Sequence, residues 1–167
     1  MNRDLIGKVL ITQGTRPFAQ RVAKLMSPIS GQVLFGSSDD VPNVLLRTGS
    51  YLKIPQVNAP AFIHEVLKVC LDRGINTLLP LGIHELYPMA EAQQLFSEYS
   101  VAVWVPEVTE LDSIPVIKNP PVQLPLIVFK DGVPLGTTQS DDRYRRLSGV
   151  FSLSDSGDEA ALCCIAD

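Results

Sequence analysis

Short unbroken apolar runs alternate along this chain with stretches in which apolar residues recur every three or four positions. The runs read as strands buried on both faces and the periodic stretches as amphipathic helices. Lys8–Thr12 is the first run, and Gln13–Pro17 is the turn after it, with Pro17 suited to a first helical position. Phe18, Val22, Leu25 and Met26 then recur at helical spacing, opposite Gln20, Arg21 and Lys24. Gln32–Phe35 predicts a second strand and Tyr51–Ile54 a short third, ended by Pro55. The next helix is capped by Asn58, carries Pro60 in its first turn, and is closed by Gly74. Its apolar stripe is Phe62, Ile63, Val66, Leu67 and Cys70. Thr77–Leu79 is the central strand, followed by a Pro-Leu-Gly turn. Pro88 then begins a helix bearing Met89, Ala92, Phe96 and Tyr99. Val101–Val105 is a further buried strand, ended by Pro106.

This rhythm predicts an α/β fold, a Rossmann-like parallel sheet of about four or five strands flanked by helices. Residues 1–110 form that domain. The pattern then changes. Residues 111–125, with Pro115, Pro120, Pro121 and Pro125, read as a linker or a strap across the surface. Residues 126–167 read as a β-rich extension. Asp131-Gly132 is a hairpin turn signal there, and Pro134 keeps the returning segment at a sheet edge. Gly149–Leu153 and Ala160–Ile165 can pair through the polar turn Ser154–Glu159.

Composition narrows the function classes. The 167 residues, 46% hydrophobic and 19% charged, suit one globular domain, or one with a small appendage. A net charge of −4 and a pI near 5.1 argue against nucleic-acid partners. The one basic cluster, Arg143, Arg145 and Arg146, directly follows Asp141 and Asp142 and reads as a solvated loop. No apolar run approaches the ~20 residues of a membrane-spanning helix. Met1–Asp4 lacks a signal-peptide pattern, so cytoplasmic residence is the expectation. Cys70, Cys163 and Cys164 make no disulfide framework, and two histidines without a C-x-x-C pair predict no metal site.

Five segments in register then resemble the pre-ATP-grasp domain, the Rossmann-like amino-terminal domain of biotin carboxylases and related ligases. Val9–Thr12, Gly14 and Ala19–Val22 are similar to the family's opening strand, glycine turn and helix. Tyr51–Pro55 with Ala61–Ile63 resembles its third strand and next helix. Gly74–Pro80, with Glu85 and Ala90–Ala92, resembles its most recognisable segment, and Val101–Pro106 its closing strand. The resemblance implies the fold and a substrate-side edge. It does not extend to the ATP-grasp catalytic domain: nothing after Pro106 offers a lysine near a glycine-rich phosphate loop or a set of magnesium-binding acids. Asp131-Gly132 and Ser156-Gly157 are isolated turn glycines.

The candidate site residues lie where strands end. Gly14, Thr15 and Arg16 open the first helix, where backbone N–H groups favour an anion and Arg16 can add a bidentate contact. One glycine in place of G-x-G-x-x-G weighs against a dinucleotide, and an ordinary turn with a solvated arginine is the plain alternative. Asp39 stands where a ribose-binding acid would, or in a simple polar loop. Gly82, His84 and Glu85 follow the central strand. His84 and Glu85 can form a proton-transfer pair, or Glu85 can satisfy backbone donors of the turn. No catalytic residue and no cofactor are assigned, a nucleotide or small anion being the ligand class this edge would take. The leading expectation is a non-catalytic binding or interaction module, partnered by a separate ATP-grasp subunit or by itself as a homo-oligomer. The alternative is a small Rossmann-like enzyme or binder using the strand ends. The two differ in whether these residues converge on one hollow that the carboxyl-terminal tail leaves open.

Overall fold

A computed structural model describes residues 6–136 and 141–166; Met1–Asp4, on which the leader reading rests, lies outside them. Strand β1 (Ile6–Ile11) leads into helix α1 (Pro17–Met26), strand β2 (Ser30–Ser37), the one-turn helix α2 (Asn43–Leu46) and strand β3 (Tyr51–Lys53). Helix α3 (Phe62–Arg73), strand β4 (Ile75–Leu79), helices α4 (Leu86–Glu91) and α5 (Gln93–Glu98), and strand β5 (Ala102–Val103) complete the first half. The five strands form an all-parallel sheet in the order β3-β2-β1-β4-β5, the Rossmann-like arrangement the alternation predicts. β1 is central, and its buried Val9, Leu10 and Ile11 send side chains to the cores on both faces.

Local chemistry explains much of this half. Pro17 begins α1, where its missing N–H costs nothing. Gly74 closes α3 at φ 66°, a left-handed turn that a Cβ would strain. Three local expectations fail. α1 buries Phe18, Val22 and Met26 as expected, together with Ala19 and Ala23, but Leu25 at the edge of that stripe is 40% exposed. α3 starts from Ala61 with no side-chain cap, so Asn58 does not cap it. The helix expected to begin at Pro88 is two helices broken at Ala92 (φ −92°, ψ 0°), and helical turns already start at Ile83.

After helix α6 (Val108–Leu111) come strands β6 (Val116–Lys118), β7 (Ile127–Lys130), β8 (Val133–Pro134), β9 (Gly149–Leu153) and β10 (Ala160–Cys164). They make a second, mixed sheet in the order β6-β10-β9-β7-β8. β9 and β10 pair antiparallel as predicted, and β8 with Pro134 is an edge. β6 lies inside the proline-rich segment and pairs in parallel with β10, so part of that segment is sheet. The rest is a strap. Arg21 on α1 donates to the Pro121 carbonyl at 3.1 Å and the Leu124 carbonyl at 2.7 Å. Phe129, Tyr144 and Phe151 pack with Leu78 and Phe96 of the first half, and Val128, Val150 and Cys163 pack with Trp104 and Ile11. Both hydrophobic cores therefore contain residues of both sheets. Among the described residues no helix is long and apolar enough to cross a membrane.

Candidate functional site

Strand order reverses between β1 and β4, and an open parallel sheet keeps its ligand crevice at the carboxyl ends flanking that point. Here the crevice holds side chains of the protein itself. Thr12, just past β1, is fully buried, and its hydroxyl donates to Glu85 Oε2 at 2.5 Å. The Thr12 hydroxyl oxygen in turn accepts the Leu81 N–H at 2.8 Å. Gln13 Nε2 donates to Glu85 Oε1 at 3.0 Å, and the Gly82 N–H donates to Oε2 at 3.1 Å. Glu85 is 4% exposed, and all three donors converge on its carboxylate. A buried charge needs such hydrogen bonds, and these tie the turn after β1 to the turn after β4. Gln13 adopts φ 55°, an uncommon left-handed backbone for a residue other than glycine.

The carboxyl-terminal tail closes the same edge. The Ile165 N–H donates to the Leu81 carbonyl at 2.7 Å, and the Ile83 N–H to the Ile165 carbonyl at 2.8 Å. One parallel bridge, Gly82 to Ile165, thus joins the end of the second sheet to the turn after β4. Asn119 clasps the next residue from both sides. Its Oδ1 accepts the Ala166 N–H at 2.9 Å, and its Nδ2 donates to the Ala166 carbonyl at 2.6 Å.

The predicted site residues fall into two groups. Asp39, Gly82, His84 and Glu85 line one hollow of about 140 Å3, together with Gln13, Gln56 and Ile165. Small-molecule sites run to about 300–1,000 Å3, so this hollow is small. Asp39 is exposed, and its N–H donates to Ser37 Oγ at 3.1 Å as a polar loop. His84 is exposed, and among the described residues no hydrogen bond joins it to Glu85, so the proton-transfer pair is not formed. Glu85 instead takes the backbone donor of its own turn. Gly14, Thr15 and Arg16 stand outside the hollow. Gly14 serves a close approach: its N–H donates to the Gly36 carbonyl at 2.9 Å, and a Cβ would lie 2.5 Å from that of Phe35. Arg16 is half-buried at the start of α1.

Thr12, Gln13 and Ile165 were missed as site residues. A threonine ending an apolar strand, followed by a glutamine before the turn glycine, was the available signal. The tail gave none, because its pairing partner lies more than 80 residues back.

The three thiols sit in apolar surroundings. Burial pushes Cys70 up to about 12, and burial with the neighbouring Cys164 pushes Cys163 up to about 11 against the opposing pull of Arg21. Cys164 is likewise raised, by burial. All three are free and protonated near neutrality, which disfavours redox or nucleophilic roles. The arginine cluster is matched by acids. Arg143 pairs with Asp141 at 2.7 Å and Asp158 at 3.2 Å, and Arg146 with Glu110 at 3.7 Å, as a solvated loop should. Among the described residues no group of three or more His, Cys, Asp or Glu side chains is placed to hold a metal ion.

No family model matches this chain, and no curated protein matches it in sequence.

Proposed function

We propose that this chain is a stand-alone pre-ATP-grasp-like domain that works without catalysis of its own, as a binding or interaction module in the cytoplasm. Its partner would be a separate ATP-grasp chain or a second copy of itself. One observation carries this reading: the crevice at the strand reversal is occupied by the Thr12–Gln13–Glu85 network and roofed by Ile165. A Rossmann-like enzyme keeps that space for substrate. Here the acid best placed to act there has its oxygens committed to Thr12, Gln13 and Gly82. The chain would then have no complete ATP-grasp ligase activity by itself.

A second reading has one observation in its favour. Asp39, Gly82, His84 and Glu85 do share a hollow, and a nucleotide fragment or small anion is the class of ligand it would take. Thermal-shift measurements with adenine nucleotides, with and without magnesium, and with NAD(P), bicarbonate, phosphate and amino acids separate the two. A ligand at 100 times its dissociation constant adds about 2.7 kcal/mol of stability. That raises the midpoint by about 5–10 °C in a chain of this size. The module reading predicts no such rise. A rise abolished by Arg16→Ala or Glu85→Ala would replace it with the ligand-binding reading.

A further inference from the structure

Buried polar side chains in this protein find partners, with one exception. Among the described residues, Trp104 Nε1 alone is a buried side-chain nitrogen or oxygen without a hydrogen bond. Trp104 is 2% exposed, and a buried indole N–H ordinarily has an acceptor. A donor left unpaired in such a place is costly, so an acceptor that reaches it binds with advantage.

Trp104 lines a hollow of about 190 Å3 between strand β5 and the turn after β7. It shares no lining residue with the hollow at the carboxyl edge. Lys130 Nζ stands 5.8 Å from the centre of the indole ring, so ammonium and ring flank the same space. Lys130 is exposed, and among the described residues no carboxylate lies within ion-pair distance of it. The hollow thus brings together two donors, one buried and one cationic. The acceptors around it are committed. Gln93 Nε2 takes the Val103 carbonyl at 3.1 Å and that of Val105 at 2.9 Å. Ser148 Oγ accepts the Asp131 N–H at 2.9 Å and lies 3.4 Å from Asp131 Oδ1.

We propose that this hollow receives an acidic side chain, Asp or Glu, of a protein partner. This rests on the interaction-module reading and gives the partner's chemistry. One carboxylate oxygen accepts the Trp104 N–H and the other pairs with Lys130. A space of about 190 Å3 falls below the about 300–1,000 Å3 of small-molecule sites and suits a single side chain. Val101 and Val103, both buried, give the methylene stem an apolar wall. The N–H is shut off from water, so the carboxylate reaches it as the long, exposed Lys130 turns aside, a rotamer change common at interfaces. A hydrogen bond made there, away from water, is stronger than one at an open surface. Asp131 is the one acid in the wall, and its charge keeps the affinity weak.

Trp104 is the sole tryptophan, so one indole N–H resonance reads the site directly. The purified chain is titrated with the capped peptide acetyl-Ala-Glu-Ala-amide, its glutamine counterpart, propionate and chloride, all at matched ionic strength. The glutamate peptide should move the indole resonance saturably in the millimolar range, while the glutamine peptide and chloride leave it in place. Lys130→Met should weaken that binding about tenfold or more. Asp131→Asn tolerates the left-handed turn at φ 50° and removes the opposing charge, so it should tighten binding about two- to fivefold. It carries the test if Lys130→Met does not fold. An indole resonance that stays still, or that moves equally with the glutamine peptide or chloride, overturns the proposal. So does a saturable shift that both folded variants leave unchanged, or one produced by propionate and not by the glutamate peptide. Saturable movement of the Gln13, Gly82 and Glu85 amides in the same spectra would end the interaction-module reading itself. A still indole with those amides also still leaves that reading with a partner of other chemistry.

Discussion

Replacing Thr12 by valine keeps the volume and shape of a fully buried side chain and deletes one hydroxyl. That hydroxyl makes two hydrogen bonds, donating to the Glu85 carboxylate at 2.5 Å and accepting the Leu81 N–H at 2.8 Å. A hydrogen bond to a charged group contributes about 1.5–3 kcal/mol. Leaving the Leu81 N–H buried without a partner costs about 1–3 kcal/mol more. Valine's added methyl recovers about 0.8 kcal/mol. The expected loss is therefore about 2–5 kcal/mol. Thr12→Ser keeps the hydroxyl and sheds a methyl, which costs about 1 kcal/mol. The more apolar substitution should thus be the more damaging, the reverse of what burial alone predicts. Urea unfolding followed by the fluorescence of Trp104, the sole tryptophan and 2% exposed, reads both. A Thr12→Val loss under about 1 kcal/mol, or one smaller than that of Thr12→Ser, would refute the view that this network locks the two turns together.

Other consequences follow from single contacts. Gly14→Ala should cost about 1–3 kcal/mol in the same urea assay, since the new Cβ would meet Phe35 Cβ at 2.5 Å and its backbone at 3.1 Å. Arg21→Ala frees the Pro121 and Leu124 carbonyls, so limited proteolysis should cut between residues 119 and 126 sooner than in the wild type, with the rest of the digest unchanged. Cys70, Cys163 and Cys164 should resist a thiol reagent in the native state at pH 8, because raised pKa values keep them protonated there. Their reactivity should climb only as the pH nears their shifted values or as the protein unfolds.

Features written in local chemistry were legible in the sequence. The apolar run at β1, Pro17 at the start of α1, Gly74 at the end of α3 and Pro134 on an edge strand each depend on a few neighbours. Features fixed by distant partners were not. β6 exists because β10, more than 40 residues later, supplies its ladder, and no pattern within a proline-rich stretch announces that. Val101, Val103, Trp104 and Val105 are buried and Ala102 half-buried, yet the strand is Ala102–Val103 alone. Burial of the other three arises from packing, which an apolar run cannot distinguish from a ladder. The site divides the same way. The plain reading of Glu85 as a partner for backbone donors needed only its own turn, and Gly82 provides the donor. That Thr12 and Gln13 would claim the rest of the carboxylate, and Ile165 cover the turn, depends on chain segments more than 70 residues apart.

The central claim is that the carboxyl edge of the parallel sheet is structural and that the chain acts through partners. Amide-resolved NMR titration with magnesium ATP, NAD and phosphate tests it most directly. The amides of Gln13, Asp39, Gly82, His84 and Glu85 should stay in place at ligand concentrations well into the millimolar range, the weak end of specific binding. Saturable shifts confined to those amides would contradict the account and make the edge a ligand site.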